Sequence, residues 1–467
     1  MDSDRQALHE LLSKHGQEGV LRFWEELSTE EKESLASQVR SLDLELISRL
    51  AAGGGPAFDT SGPLEPESFE RLPHDEASRE RWQAAADEGS VALRQGRVAA
   101  MVVAGGQGTR LGFAGPKGAY KIGPVTDRSL FQIHAQKVLA ASQRYGVAIP
   151  LLVMTSPIND AETRFFFKER GFFGLPFDRV RIFSQGEMPA VGDDGKLILE
   201  SKSRVFMSPN GHGGALKALW DEGVIAWLEG LGVDTITHFQ VDNPLVRIID
   251  PAFLGFHLQG AADMSLKLLK RTIPDEKLGI WLRAGGRPRV IEYSDMTPED
   301  MHARDESGDL KYAGGSIAIH CFSAPFIRRL NEKGFMLPYH RARKKVPFVN
   351  DRGARIEPRE PNATKFEMFV FDALLFSEKA VAIETTREDE FSPVKNASGV
   401  DSPDTAKRDM SRLYAKWLAA AGVEVSKGED GYPLFPIEIS PVFADGPEVL
   451  ECNYTGPKRV TGLLVLE

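Results

Sequence analysis

Between residues 98 and 118 an apolar stretch, Val98-Ala-Ala-Met-Val-Val103, runs straight into Ala104-Gly105-Gly106-Gln107-Gly108-Thr109-Arg110-Leu111-Gly112, and Lys117 follows in a short loop. Glycines after a buried strand let the backbone approach a ligand closely and turn its N–H groups toward an anion. Arg110 and Lys117 add two positive charges near that cradle. Strand, glycine turn, Arg and Lys together describe a polyphosphate site. Two commoner phosphate loops are excluded by spacing. Gly-x4-Gly-Lys-Ser/Thr does not occur, and in Gly-x-Gly-x-x-Gly the third glycine should follow Gly106 and Gly108 at 111, whereas it stands at Gly112.

Further along, the apolar run Thr235–Val241 ends in Asp242-Asn243-Pro244. A carboxylate at a strand's end can hold Mg2+ against a bound phosphate, and the same tripeptide is also good turn chemistry. Pro209-Asn210-Gly211-His212-Gly213-Gly214 is a second glycine turn opening a helix, whose N–H groups could receive a base or a ribose.

These residues resemble the signature of the UTP-dependent sugar-1-phosphate uridylyltransferases, closest to the eukaryotic-type UDP-N-acetylglucosamine pyrophosphorylases. The likeness runs over residues 97–410 and also takes in Glu292-Tyr293, Lys365–Asp372 and Arg387–Asn396. It implies transfer of the uridylyl group of UTP to a hexose 1-phosphate, N-acetylglucosamine 1-phosphate first, with release of pyrophosphate. By the resemblance, Val103, Ala104, Gly105, Gly106, Lys117 and Lys365 hold UTP. Gln185 reads uracil, Gly211 lies beside it, and Asp242 contacts UTP and its Mg2+. His212, Glu292, Tyr293 and Ser316 face the sugar, and Lys395 takes the sugar's phosphate. Arg110, Lys117 and Lys395 are the expected catalytic residues.

Two positions depart from the acetamido-sugar pattern. His212 stands where that pattern has Asn, and Ser316 replaces the second Asn of its Asn-Ala-Gly-Asn-Ile-Ala-Asn-His stretch. Glucose-type enzymes have Gly-His-Gly at the turn. A broad UDP-glucose/UDP-galactose pyrophosphorylase is therefore the alternative, and a non-catalytic sugar-nucleotide sensor a second one. A nucleotide-dependent dehydrogenase fails on fingerprint spacing.

The elements needed to place these residues can be read from periodicity. Val98–Val103, Ile149–Met154, Val180–Phe183, Thr235–Val241 and Ala262–Leu268 are expected strands; 76–94, 129–143, 160–170, 214–229 and 404–421 are expected helices. Alternation of this kind predicts an α/β fold, a doubly wound, mostly parallel, Rossmann-like sheet of the nucleotide-diphospho-sugar transferase kind, with ligands beyond the strands' carboxyl ends. Residues 4–50 read as helical, with Ser28 and Glu31 forming a capping box and Leu35, Val39, Leu42, Leu46 and Leu50 a core stripe. Residues 51–67, rich in glycine and proline, read as a linker. The expected organisation is an N-terminal helical region over 1–75, a nucleotidyltransferase domain over 76–398 and a small C-terminal domain over 399–467.

Composition agrees with a globular enzyme: 467 residues, 42% hydrophobic, 27% charged and a net charge of −10. That balance excludes a general nucleic-acid binder, which would want a basic face. Cys321 and Cys452 are the two cysteines, few enough to suit a reducing compartment. The N-terminal stretch lacks signal-peptide character, and no run of apolar residues is long enough for a membrane span. The expectation is a cytoplasmic protein with small-molecule substrates; the sequence leaves its oligomeric state open.

Overall fold

The structure is a computed structural model and describes residues 2–54 and 62–467. It groups into two compact units. The larger comprises Ser61–Ser184, Lys217–Phe335 and Ala373–Glu467; the smaller comprises Met1–Thr60, Gln185–Leu216 and Met336–Asp372. These units are assembled from separated segments, so their limits differ from the three consecutive blocks expected from sequence.

The larger unit is built on one sheet. Strands β1 (Val98–Val103), β2 (Leu151–Thr155), β3 (Val180–Ser184) and β4 (Thr235–Gln240) pair in parallel in the order β4-β1-β2-β3. All six residues of β1 are buried, as a strand covered on both faces requires. The chain steps outward from β1 to β3, then returns on the other side of β1 as β4. The carboxyl ends of β1 and β4 therefore flank a topological switch point, where open α/β sheets bind their ligands.

The other half of the sheet is mostly antiparallel. It holds β5 (Met264–Lys270), β6 (Gly279–Ala284), β7 (Arg287–Ile291), β8 (Gly314–Ser323) and β9 (Ala380–Thr385). β8 runs antiparallel to β4, β5 and β6; β7 runs antiparallel to β6, and β9 parallel to β5. A short strand, Leu64–Pro66, pairs with β6 inside the stretch expected to be linker. Residues 55–61 of that stretch lie outside the described residues.

Helices fall where expected, with one division. The helix expected over 214–229 is two, Gly214–Asp221 and Val224–Gly230, because Gly223 adopts φ +66° between them. The C-terminal helix Pro403–Ala420 buries Ala406, Met410, Leu413, Tyr414 and Leu418 in the same cluster as Val98, Ala100 and Ile383. Residues 399–467 thus share the main core of their unit.

In the smaller unit the N-terminal helices Asp2–Ser13, Thr29–Ser41 and Leu44–Ala51 pack on the strands of the two later segments. The capping box is present: Glu31 N–H donates to Ser28 Oγ at 3.2 Å and Ser28 N–H to Glu31 Oε2 at 2.8 Å. Leu35, Val39 and Leu50 are buried. Leu42 and Leu46 are half-buried, because the helix ends at Ser41 and a new one starts from an Asp43 cap. Both cysteines are free, and no helix among the described residues is long and apolar enough to cross a membrane.

Candidate active site

The glycine loop leaves β1 at the switch point with its carbonyls tied down. Asn159 Nδ2 donates to the carbonyls of Ala104 and Gly106, at 2.9 and 3.2 Å. Ser156 Oγ donates to the Gly105 carbonyl at 2.8 Å, and Lys117 N–H to that of Gly106 at 3.0 Å. Among the described residues, none accepts from the N–H groups of Gly105, Gly106 or Gln107. Backbone donors left without a protein acceptor are available to an anion. Gly108 N–H donates to the Gly115 carbonyl at 2.9 Å, which closes the loop and returns Lys117 to its base. Arg110 stands exposed on the turn Thr109–Leu111.

β1 and β4 are neighbours, so Lys117 and Asp242 meet. Lys117 Nζ lies 3.4 Å from Asp242 Oδ2 and 3.4 Å from the Val394 carbonyl. Both contacts are long for a charge-assisted hydrogen bond, so this cation is loosely held and can exchange partners when an anion arrives. Val394 N–H donates to the Asp242 carbonyl at 2.8 Å, which sets Lys395 next to the end of β4. Lys395 is exposed, with Nζ 5.7 Å from the centre of the Phe391 ring. Lys117, Asp242 and Lys395, distant in sequence, are therefore gathered at one place.

Glu292 and Ser316 also come together. Gly279 pairs with Ser316 across β6 and β8, and Glu292 follows directly after β7. A Cβ at Gly279 would lie 3.9 Å from both Glu292 Oε1 and Ser316 Cβ. The same Cβ would meet Val290 Cγ1 at 2.6 Å, so glycine at 279 lets the Val290 side chain pack between the two strands. Tyr293 is half-buried and packs against the cluster of Ile280, Leu282 and Met296, so its ring is at least partly structural.

In the smaller unit the second glycine turn and the 365–372 segment lie side by side. Met368 N–H donates to the Asn210 carbonyl and Gly213 N–H to the Met368 carbonyl, each at 2.8 Å. Gly211 has φ +86°, and a Cβ there would sit 2.4 Å from the Met368 carbonyl oxygen, so only glycine fits. Val370 N–H donates to His212 Nδ1 at 3.1 Å. Nδ1 is thus an acceptor, the ring is neutral, and Nε2 carries its proton. Burial, with a lesser contribution from His340, pushes His212 down to about 4. Its ring stacks on Phe369, which also stacks on His340, with centroids 5.4 and 4.3 Å away. Lys365 is held below the ordinary lysine value by burial, its ammonium 4.9 Å from the Phe206 ring centre. Gln185 is buried at the start of the 185–216 segment.

Several supporting residues went unread in the sequence. His134 and Lys137, one turn apart on the helix Leu130–Tyr145, anchor the loop after β4. His134 Nε2 donates to the Val241 carbonyl at 2.9 Å, and burial holds it neutral at about 3. Lys137 Nζ donates to the carbonyls of Pro244 and Val246. Their i, i+3 spacing on an apolar helix face was the available signal. Asn159 and Ser156 left none beyond ordinary turn chemistry.

A glycine loop with unbonded N–H groups thus stands at a switch point, with a lysine and an aspartate at the neighbouring strand end. The family pattern of UTP–glucose-1-phosphate uridylyltransferase matches residues 62–407, and the chain belongs to that family. UDP-N-acetylhexosamine pyrophosphorylase-like protein 1 of Xenopus tropicalis is 36% identical, over 97% of this chain and 94% of that protein. UDP-N-acetylglucosamine diphosphorylase 2 of Arabidopsis thaliana is 34% identical, over 97% and 91%. The crystal structure of the uridine diphosphate N-acetylglucosamine pyrophosphorylase of Trypanosoma brucei superimposes with a TM-score of 0.83 at 26% identity, over 99% of this chain and 98% of that one.

Proposed function

We propose that the protein converts UTP and N-acetylglucosamine 1-phosphate to UDP-N-acetylglucosamine and pyrophosphate. The observation that carries this reading is the gathering of Lys117, Asp242 and Lys395 beside the glycine-loop donors. Relatives named for that activity match nearly the whole chain.

A phosphate oxygen of the sugar substrate attacks the α-phosphorus of UTP in line. The new P–O bond forms as the bond to the bridging oxygen breaks, and pyrophosphate leaves with that electron pair. The nucleophile is already anionic, so no general base is needed, and catalysis is positioning plus charge neutralisation. The donors of Gly105, Gly106 and Gln107 cradle the phosphates next to Val103 and Ala104. Lys117 and Arg110 neutralise charge on the transferring and leaving groups. Lys395 aims the sugar phosphate, and Lys365 adds charge to the UTP phosphates. The family resemblance assigns Gln185 and Gly211 to uracil, and His212, Glu292, Tyr293 and Ser316 to the sugar.

Mg2+ fits this donor set. Among the described residues no group of three or more His, Cys, Asp or Glu could hold a metal alone. A single carboxylate is what a Mg2+ carried in on substrate phosphates requires, and Asp242 would hold it, where it would neutralise phosphate charge.

A second reading, broad use of hexose 1-phosphates, is favoured by His212 and Ser316. His212 offers one fixed N–H donor where an amide offers a donor and an acceptor. Pyrophosphate release measured with UTP and a panel of sugar 1-phosphates separates the two readings. Activity on N-acetylglucosamine 1-phosphate upholds the first; its absence alongside activity on glucose 1-phosphate replaces it with the second.

A further inference from the structure

Asp242 and Lys395 belong to segments about 150 residues apart in sequence, and a buried polar clasp joins them. Its centre is Asn243, 3% exposed. Asn243 Nδ2 donates to the Glu390 carbonyl at 2.7 Å, and its Oδ1 accepts from Ser392 N–H at 3.1 Å. With the bond from Val394 N–H to the Asp242 carbonyl, three hydrogen bonds run the 390–394 segment alongside 242–243. Glu390, itself buried, is held by its side chain. Oε1 accepts from Lys267 Nζ at 2.6 Å and from Thr385 Oγ1 at 2.9 Å, and Oε2 accepts from Arg247 N–H at 3.2 Å. Lys267 is fully buried and also donates to Asp250 Oδ2 at 2.6 Å.

Fully satisfied buried networks of this kind fix geometry. This one clamps the end of β4, Lys267 of β5 and the backbone from which Lys395 projects. Lys395 needs such help. It is an exposed ammonium on a flexible four-carbon stem, and its stem's root is what the protein can hold still.

We propose that Asn243 and Glu390 are positioning residues that set Lys395 against Asp242, so that the sugar phosphate is aimed at a UTP already bound. The proposal rests on the roles assigned above to Asp242 and Lys395. Neither Asn243 nor Glu390 touches substrate; both act through Lys395. Loosening the clasp therefore impairs the sugar-phosphate half and spares UTP binding.

A double-mutant cycle tests it on the full-length protein: Asn243→Ala, Lys395→Ala and both together, each checked for its thermal midpoint. The readouts are kcat/KM for N-acetylglucosamine 1-phosphate and UTP affinity by calorimetry. In the parent background Asn243→Ala should lower kcat/KM about 10- to 100-fold, the scale of a small misplacement, and leave UTP affinity within about 2-fold. In the Lys395→Ala background the same change should cost less than about 2-fold, because its route of action is gone. Equal losses in both backgrounds, a loss of UTP affinity to match, or no loss at all overturns the proposal. Should Asn243→Ala not fold, Glu390→Gln, which keeps the shape and loses the charge that grips Lys267, takes its place in the same cycle. If Lys395→Ala by itself turns over normally, the fault lies with the role given to Lys395, and the clasp proposal falls with it.

Discussion

Replacing Lys117 by Ala removes the cation at the centre of the gathered residues. Its side chain is 18% exposed, between surface and interior, and its Nζ stands 3.4 Å from the Asp242 carboxylate and at the mouth of the glycine loop. Two unit charges about 4 Å apart at an effective dielectric near 20 interact by about 4 kcal/mol. Only charge that develops between ground and transition state raises kcat. Taking about two-thirds of the interaction gives about 2.7 kcal/mol, a factor of about 100 in rate. The loose pairing with Asp242 means that little folding stability is at stake, so the thermal midpoint should barely move. The assay is continuous pyrophosphate release at saturating Mg2+ with both substrates varied. Lys117→Ala should lose at least about 100-fold in kcat/KM, and Lys117→Arg should recover part of it. Turnover within about 3-fold of the parent in the folded alanine variant would refute the role of this lysine.

Asp242→Ala should likewise lower kcat/KM at least about 100-fold, and the parent enzyme should fall silent in excess EDTA and recover with Mg2+; full activity in EDTA removes the metal from the account. The double change His212→Asn, Ser316→Asn should raise the preference for N-acetylglucosamine 1-phosphate over glucose 1-phosphate, because a site built to bond a group rejects analogues that lack it. An unchanged ratio of kcat/KM values would mean that neither residue reads the sugar. His134, His212 and His257 are held at about 3, about 4 and about 4 by burial, below the ordinary histidine value. Between about pH 6.5 and 4 the unfolded chain therefore binds more protons than the folded one, so the stability these rings contribute is present above that window and lost as pH falls through it. Urea midpoints should decline across the window, and His257→Gln should flatten the decline; a slope that the substitution leaves untouched rules out the buried ring as its source.

Much of the site was legible because its determinants are local. The apolar run Val98–Val103 followed by glycines reads as a buried strand and a loop, and the strand is there with all six residues buried. The Ser28–Glu31 capping box was readable for the same reason. What escaped depends on long-range pairing. Nothing near residue 314 announces that β8 inserts antiparallel beside β4 and so brings Ser316 to Gly279 and Glu292. The N-terminal helices carry an apolar stripe, but only the fold shows that it is covered by Met188, Val205 and Phe366. In the charge run 387–390, Glu390 is buried because Lys267, itself buried on β5, needs a partner. Polar groups that satisfy each other across the chain have no periodicity to betray them.

The most direct measurement follows the two ends of UTP separately. The purified protein is incubated with Mg2+, N-acetylglucosamine 1-phosphate and UTP labelled either at the α- or at the γ-phosphate, and the products are resolved. Uridylyl transfer predicts that the α label appears in UDP-N-acetylglucosamine and the γ label in pyrophosphate, in equal amounts. A γ label in the sugar product or in orthophosphate, or no consumption of UTP with any hexose 1-phosphate, would contradict it.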